Sequence, residues 1–222
     1  MGYAEQRRSE DLSELPQWQD EVEARVVHAT KNQYVNKLKQ AGIVQLYSGK
    51  LRTISYAKWE SLPGVSARIR IYIGPDGREH YMWCIKVPKD DTAPSQLTRA
   101  RREMEEEAPS FDEAKSRLEY ALSVLFPKEP CVLQGETEII KERTSFMCNG
   151  TCRVEACTNV RFDFDVIKSA NGKALTPPLA LLEIEAGTEP DVLKCAEKLG
   201  ITLTPGESVG SVSPLINERV GG

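Results

Sequence analysis

Two short pairs of carboxylates stand out by spacing: Glu21 and Glu23, and Glu183 and Glu185. Each pair is separated by one apolar residue, Val22 or Ile184, so on an extended strand both acids share a face. Four carboxylates offered together are hard oxygen ligands suited to Mg²⁺ or Mn²⁺. A second class of residue recurs with the same spacing. Arg68 and Arg70, Lys86, Lys141 and Arg143, and Arg153 lie on alternating segments and present cations to one side. Arginine grips phosphate oxygens through paired N–H groups, and lysine meets them as a point charge. Carboxylates for a divalent ion beside cations for an anion suit a polyanion held with its metal. The metal would polarise a phosphoryl oxygen and orient water. A further glutamate, Glu119 or Glu155, is a candidate to position that water.

These residues must be held by strands. Residues 20–28 alternate apolar and polar with period two, as do 67–73, 79–87, 117–126, 131–147, 152–158, 160–168 and 181–186. Gly74-Pro75-Asp76-Gly77 is a hairpin turn, Ser48-Gly49 a turn within 44–59, and 171–178 a loop. Helices are expected after Thr30, ending at Gly42, and after Thr188, ending at Gly200. Glu21-Val22-Glu23 and Glu183-Ile184-Glu185 thus each precede a turn and a helix, an internal echo. Residues 90–113 carry a dense run of charge and read as a solvated helix or loop.

About eight strands with one apolar and one polar face, plus helices whose apolar sides need cover, fit one closed geometry. The expected fold is α+β and mainly antiparallel: a closed β-barrel, or tunnel, with a polar interior and the helices packed outside. Residues 1–17 would form an N-terminal arm, 18–203 the tunnel domain, and 204–222 a flexible tail. A charged interior is costly unless its charges pair or bind ligands.

The chain of 222 residues has a formal net charge of −4, which argues against coating a long stretch of nucleic acid and for holding a short end. No apolar run reaches the roughly 20 residues of a membrane span, and the N-terminus lacks a secretory signal. The six cysteines show no CxxC pairing and read as free thiols in a reducing compartment, cytoplasm or nucleus. Cys148, Cys152 and Cys157 lack a standard zinc spacing, and only His28 and His80 are available as imidazole ligands.

Glu21-Val-Glu23-Ala-Arg25-Val26 resembles the first metal strand of the triphosphate tunnel metalloenzymes, with Val26 where an aromatic residue is usual. Lys141-Glu-Arg143-Thr-Ser145-Phe146 is similar to that family's Lys-x-Arg-x-Ser-aromatic strand. Arg153-Val-Glu155-Ala-Cys157-Thr-Asn-Val160 resembles its Arg-x-Asp-x-Thr-x-Val strand, departing at Glu155 and Cys157. Leu182-Glu183-Ile-Glu185 looks like the closing metal strand. Within the family the resemblance is to the RNA 5′-triphosphatases of mRNA capping, most of all the stand-alone trypanosomatid enzymes. It implies metal ligation by Glu21, Glu23, Glu183 and Glu185 and phosphate binding by the cations above; Glu119, Glu155 and Arg153 stand beside them as the candidate catalytic residues. It implies Mn²⁺ or Mg²⁺ as cofactor, and removal of the γ-phosphate from 5′-triphosphate-ended RNA, with NTP hydrolysis besides. A docking role of the tail toward a guanylyltransferase is left open. Two alternatives stand beside it: a small-molecule relative acting on thiamine triphosphate or tripolyphosphate or cyclising ATP, and a non-enzymatic barrel that binds a phosphorylated ligand.

Overall fold

The computed structural model describes residues 15–27, 29–56, 62–89, 97–129, 135–148, 159–205 and 213–220. Eight strands are present: β1 Gln19–Val27, β2 Val44–Tyr56, β3 Ser66–Ile73, β4 Glu79–Pro88, β5 Arg99–Ala108, β6 Gly135–Cys148, β7 Val160–Ala170 and β8 Lys173–Ala186. Among the described residues four helices accompany them: α1 Lys31–Gln40, α2 Phe111–Leu125, α3 Glu189–Lys198 and α4 Ser213–Val220. The strands close in the order β1-β5-β4-β3-β2-β6-β7-β8, with β8 pairing back to β1, and every pairing is antiparallel. The expected closed barrel is therefore the fold.

Strand parity sorts its two faces. Val22 and Ala24 of β1, Phe146 of β6, Phe162 and Phe164 of β7, and Leu182 and Ile184 of β8 point outward. They pack under Val35 and Leu38 of α1 and Val192, Cys195 and Ala196 of α3. On the other side Ile69, Ile71, Trp83, Ile85 and Met104 lie under Ala114, Leu118, Ala121 and Leu122 of α2. The residues between them, charged and mostly buried, line the bore.

Several expectations are corrected. Residues 117–126 belong to α2, not to a strand. Ser110 accepts a hydrogen bond from the Glu113 N–H, the start of a capping box, and the apolar residues that bury are Ala114, Leu118, Ala121 and Leu122, at helical spacing. Glu119 thereby sits on a helix packed against the outside of the barrel, away from the bore. Of the charged stretch read as solvated helix or loop, residues 99–108 are strand β5. Ser48-Gly49 is no turn, since β2 runs unbroken through it. A Cβ at Gly49 would lie 2.5 Å from both the Ile73 carbonyl oxygen and the Tyr47 hydroxyl. Glycine is needed there because the Tyr47 ring crosses its backbone to reach the Ile73 carbonyl at 3.1 Å. Most of the expected loop at 171–178 is β8. The hairpin turns at Asn171-Gly172, whose φ values of 49° and 76° give the two left-handed positions of a tight hairpin. Within the segment expected as a free tail, α4 packs on the barrel through Ile216.

Cys148 and Cys195 each take part in a disulfide and Cys84 is a buried free thiol, so the expectation of six free thiols fails, and with it the argument for a reducing compartment. The strand expected at 152–158 lies outside the described residues. No helix among the described residues is long and apolar enough to cross a membrane.

Leu118 is fully buried between α2 and the β3–β5 face. Leu118→Ala is expected to destabilise the protein by about 2–5 kcal/mol, seen as a lower urea midpoint at unchanged slope.

Candidate active site in the bore

On β1 the sequence Glu21, Glu23, Arg25 points inward, and β8 beside it contributes Glu183 and Glu185 in register, Arg25 opposite Glu183 and Glu23 opposite Glu185. β7 adds Arg161, Asp163 and Asp165, with Asp163 opposite Glu183 and Arg161 opposite Glu185. β6 adds Lys141 and Arg143, β3 Arg68 and Arg70, β4 Cys84 and Lys86, and β5 Arg99, Arg101, Glu103 and Glu105. Both expected metal strands and four of the expected cations (Arg70, Lys86, Lys141 and Arg143) thus meet in one enclosed space, with Arg68 near them.

The charges form two networks. In one, Lys86 Nζ donates to both Glu21 oxygens at 2.5 and 2.6 Å and lies 3.4 Å from Glu103. Arg70 spans Glu103 at 3.1 Å and Glu105 at 2.8 Å, and the Cys84 thiol donates to Glu103 at 2.8 Å. In the other, Arg143 holds Asp165 through two bonds of 2.8 and 2.7 Å, and lies 2.7 Å from Asp163 and 3.3 Å from Glu183. Arg25 grips Glu183 at 2.8 and 3.0 Å, Arg161 meets Asp163 at 3.2 Å, Arg101 meets Glu23 at 3.2 Å, and Lys141 pairs with Asp165. Burial raises a carboxyl's pKa, yet Arg25, Lys141 and Arg143 hold Glu183 well below the usual range. Burial pushes the Cys84 thiol up to about 12, so it remains protonated and acts as a donor.

Glu185 breaks this pattern. Among the described residues no cation lies within ion-pair distance of it. Burial and the neighbouring Glu21 and Asp163 carboxylates push its pKa well above the ordinary value. It belongs to two groups whose oxygens lie within 4.8 Å of one another: Glu21, Glu23 and Glu185, and Asp163, Glu183 and Glu185. All-oxygen donors of this charge fit a hard divalent ion such as Mg²⁺ or Mn²⁺, and Glu185 is where positive charge is missing.

The converse holds for Arg68 and Arg99. Among the described residues neither has a carboxylate within salt-bridge distance. Burial and the like charges of Arg101, Arg25 and Arg68 lower the Arg99 pKa, against the opposing influence of the Glu23 carboxylate on the neighbouring strand. Two bore-facing guanidinium groups without a salt bridge among the described residues are the kind of donors that anions take up.

Of the expected site residues, Glu119 is excluded by its place on α2, and Arg153 and Glu155 lie outside the described residues. Sequence reasoning left Arg25, Asp163 and Asp165 on polar faces without a role, and missed Arg99, Arg101, Glu103 and Glu105 altogether. Their signal was available: Ala100, Met104 and Ala108 recur at even spacing through the β5 charge run, giving it an outward apolar side.

Neither a protein-family profile nor a curated protein matches the sequence. Solved structures do. The class defined by fold and site is a closed eight-stranded antiparallel tunnel with a charged bore, and similar tunnels are known. The putative adenylyl cyclase HpAC1 from Hippeastrum, described as revealing a dominant triphosphatase activity, has a TM-score of 0.56 at 14% identity, covering 89% of this chain and 95% of that one. A putative adenylate cyclase from Vibrio parahaemolyticus gives 0.53 at 17%, covering 91% and 99%. A conserved hypothetical protein from Pyrococcus furiosus gives 0.54 at 16%, covering 83% and 95%. At these identities the shared property is the fold.

Proposed function

We propose that this chain is a metal-dependent triphosphatase that removes the terminal phosphate of a triphosphate within the bore. The observation that carries the reading is the presence in one enclosed space of two carboxylate trios sharing Glu185 and of two arginines, Arg68 and Arg99, without a salt bridge among the described residues. Glu21, Glu23, Glu183, Glu185 and Asp163 would hold the ion. When bound, Mg²⁺ or Mn²⁺ supplies charge neutralisation at the phosphoryl oxygens and a polarised water. Arg68 and Arg99 receive the phosphate chain. Arg25 and Arg143 fix Glu183, and Lys86 fixes Glu21, so the carboxylates are in place before substrate arrives. Preorganisation of this kind supplies most of what phosphoryl transfer requires.

A small triphosphate is the favoured substrate class. The Hippeastrum protein, whose described activity is that of a triphosphatase, is similar in fold over 89% of this chain. The 5′-triphosphate end of RNA, expected from the resemblance, remains the second reading and rests on the Lys141–Phe146 strand. The test measures phosphate release from tripolyphosphate, ATP and triphosphate-ended RNA, with and without Mn²⁺. Metal-dependent release from the first two supports the favoured reading, and release from RNA alone supports the second. Tight binding of all three without turnover would leave a phospholigand-binding barrel.

Arg68→Ala and Arg99→Ala are each expected to remove a charge-assisted contact of about 1.5–3 kcal/mol, raising KM by roughly 10- to 100-fold. Thermal stability should be unchanged or slightly higher, since a like-charge contact is relieved. Unchanged KM in both variants would place the phosphates elsewhere.

A further inference from the structure

We infer that the end of the bore opposite Arg68 and Arg99 is a base-binding mouth: Tyr47 and Tyr72 form a platform for the flat ring of a nucleoside triphosphate, and Glu107 selects guanine at the ring's edge. The identity of the substrate rests on the triphosphatase reading; the mouth itself rests on geometry.

The bore differs in chemistry between its two ends. Arg68 and Arg99 stand where β3 and β5 begin. Along the inward-facing residues of the same strands, Arg68 and Arg70 give way to Tyr72, and Arg99 and Arg101 give way to Glu103, Glu105 and Glu107. Arg70 takes up Glu103 and Glu105. Glu107 is exposed at the rim and has no salt bridge among the described residues. β2 begins at this end, and its inward residues there are Tyr47, opposite Ser145, and Val44, opposite Met147. Val44 is exposed although it is apolar. A cavity of about 350 Å³ opens at the same rim, bordered by Glu107 and by His80, the partner of Tyr72 in register.

The platform is rigid before any ligand arrives. The Tyr47 hydroxyl donates toward the Lys50 and Ile73 carbonyl oxygens at 2.8 and 3.1 Å, which holds the ring across Gly49. The Tyr72 ring meets it edge to face, with centroids 5.4 Å apart and planes at 90°. The Tyr72 hydroxyl acts on Arg70, Arg143 and Arg161, guanidinium groups of three strands, so the side chain reaches over the bore. Rings fixed in this way stack a flat ligand without a further ordering cost. Phosphates gain nothing here, because an unpaired carboxylate repels them. They belong at the arginine end. Tyr72 and Arg68 are four residues apart on one strand, about 13 Å, with Arg70 between them. That separation suits an extended ribose and triphosphate.

An ionised carboxylate only accepts hydrogen bonds. Guanine offers it two adjacent N–H groups along one edge. Adenine offers an amino group beside a ring nitrogen that is itself an acceptor, and this repels the second carboxylate oxygen.

The test measures phosphate release with Mn²⁺ from GTP, ATP, thiamine triphosphate and tripolyphosphate by the wild type, Tyr72→Leu, Tyr72→Phe and Glu107→Gln, each checked by thermal melting. Calorimetry compares the binding of GDP and of pyrophosphate to the same proteins. We expect a wild-type KM for GTP at least about tenfold below that for tripolyphosphate, and Tyr72→Leu should bring the two within about threefold of one another. Tyr72→Phe keeps the ring and should keep the advantage. Glu107→Gln, a change at the exposed rim, should cut the preference for GTP over ATP by about tenfold. A loss in Tyr72→Leu that strikes GTP and tripolyphosphate equally overturns the platform. An unchanged ratio of GTP to ATP in Glu107→Gln, or preferred turnover of thiamine triphosphate, overturns the guanine assignment. Absence of turnover in every form sinks the triphosphatase reading. In that case tighter binding of GDP than of pyrophosphate, lost in Tyr72→Leu, still supports the mouth, and equal binding overturns it.

Discussion

Glu185→Gln is expected to cut metal-dependent phosphate release by about 100-fold or more while making the metal-free protein more stable. The two effects share one cause. Glu185 is enclosed near Glu21 and Asp163 with no cation in ion-pair reach among the described residues, and burial and these neighbours raise its pKa well above normal. Such a group destabilises the fold in its charged form. Its folded pKa lies above its unfolded one, so the folded state binds the proton more readily. The metal-free wild type should therefore gain stability as pH falls from that raised value toward the ordinary carboxylate range, and the glutamine variant should lack this gain. Mn²⁺ reverses the ranking by binding the folded wild type and raising its Tm, whereas the variant responds weakly. Thermal melts with chelator and with Mn²⁺, beside phosphate-release rates, give the four values required. A variant that is less stable without metal would show that Glu185 is structurally paired and would remove the argument for its metal role.

Arg143→Ala carries the second large effect, on folding rather than turnover. The guanidinium is 5% exposed and touches Asp163, Asp165 and Glu183, three carboxylates from two strands. Removing it leaves buried acids short of their counter-charge, a loss of about 3–5 kcal/mol. Urea unfolding should show it as a lower midpoint with an unchanged slope, and a shift below about 1 kcal/mol would mean that the network is dispensable. The acid limb offers a second check. Against the effect of burial, Arg143 and Arg161 hold the Asp163 pKa below its ordinary value. That stabilisation is present above the usual carboxylate range and is lost as pH falls through the folded value. The variant begins without most of it, so its stability should fall less steeply on acidification. Arg143→Lys retains the charge without the fork that serves three acids at once, and should recover only part of the loss.

The period-two alternation in β1, β3, β4 and the closing part of β8 was legible in the sequence because it is local. A strand fixes which residues share a face without reference to anything distant. The same rule placed the four glutamates proposed as metal ligands and most of the cations on polar faces, and the closed barrel followed as the arrangement that puts those faces together. Residues 111–125 were not legible in this way. Leu118, Leu122 and Phe126 satisfy both periods, and the helix prevails because Ser110 caps it and the outer face of β3–β5 needs cover. β5 was hidden for the opposite reason. A run such as Arg99–Glu107 has the composition of a solvated surface, and becomes a buried strand only because Lys86, Arg70 and Glu23 stand ready to neutralise it. Pairing is likewise a property of register. That Arg25 is neutralised by Glu183, 158 positions away, that Arg68 and Arg99 have no salt bridge among the described residues, and that Glu185 has no cation at ion-pair distance among them depends on how eight strands align around a bore. Alternation along the chain determined which residues face inward; closure of the barrel decided which of them would neutralise one another and which would remain for a ligand, because charges in an enclosed space answer to their neighbours across it rather than along the chain.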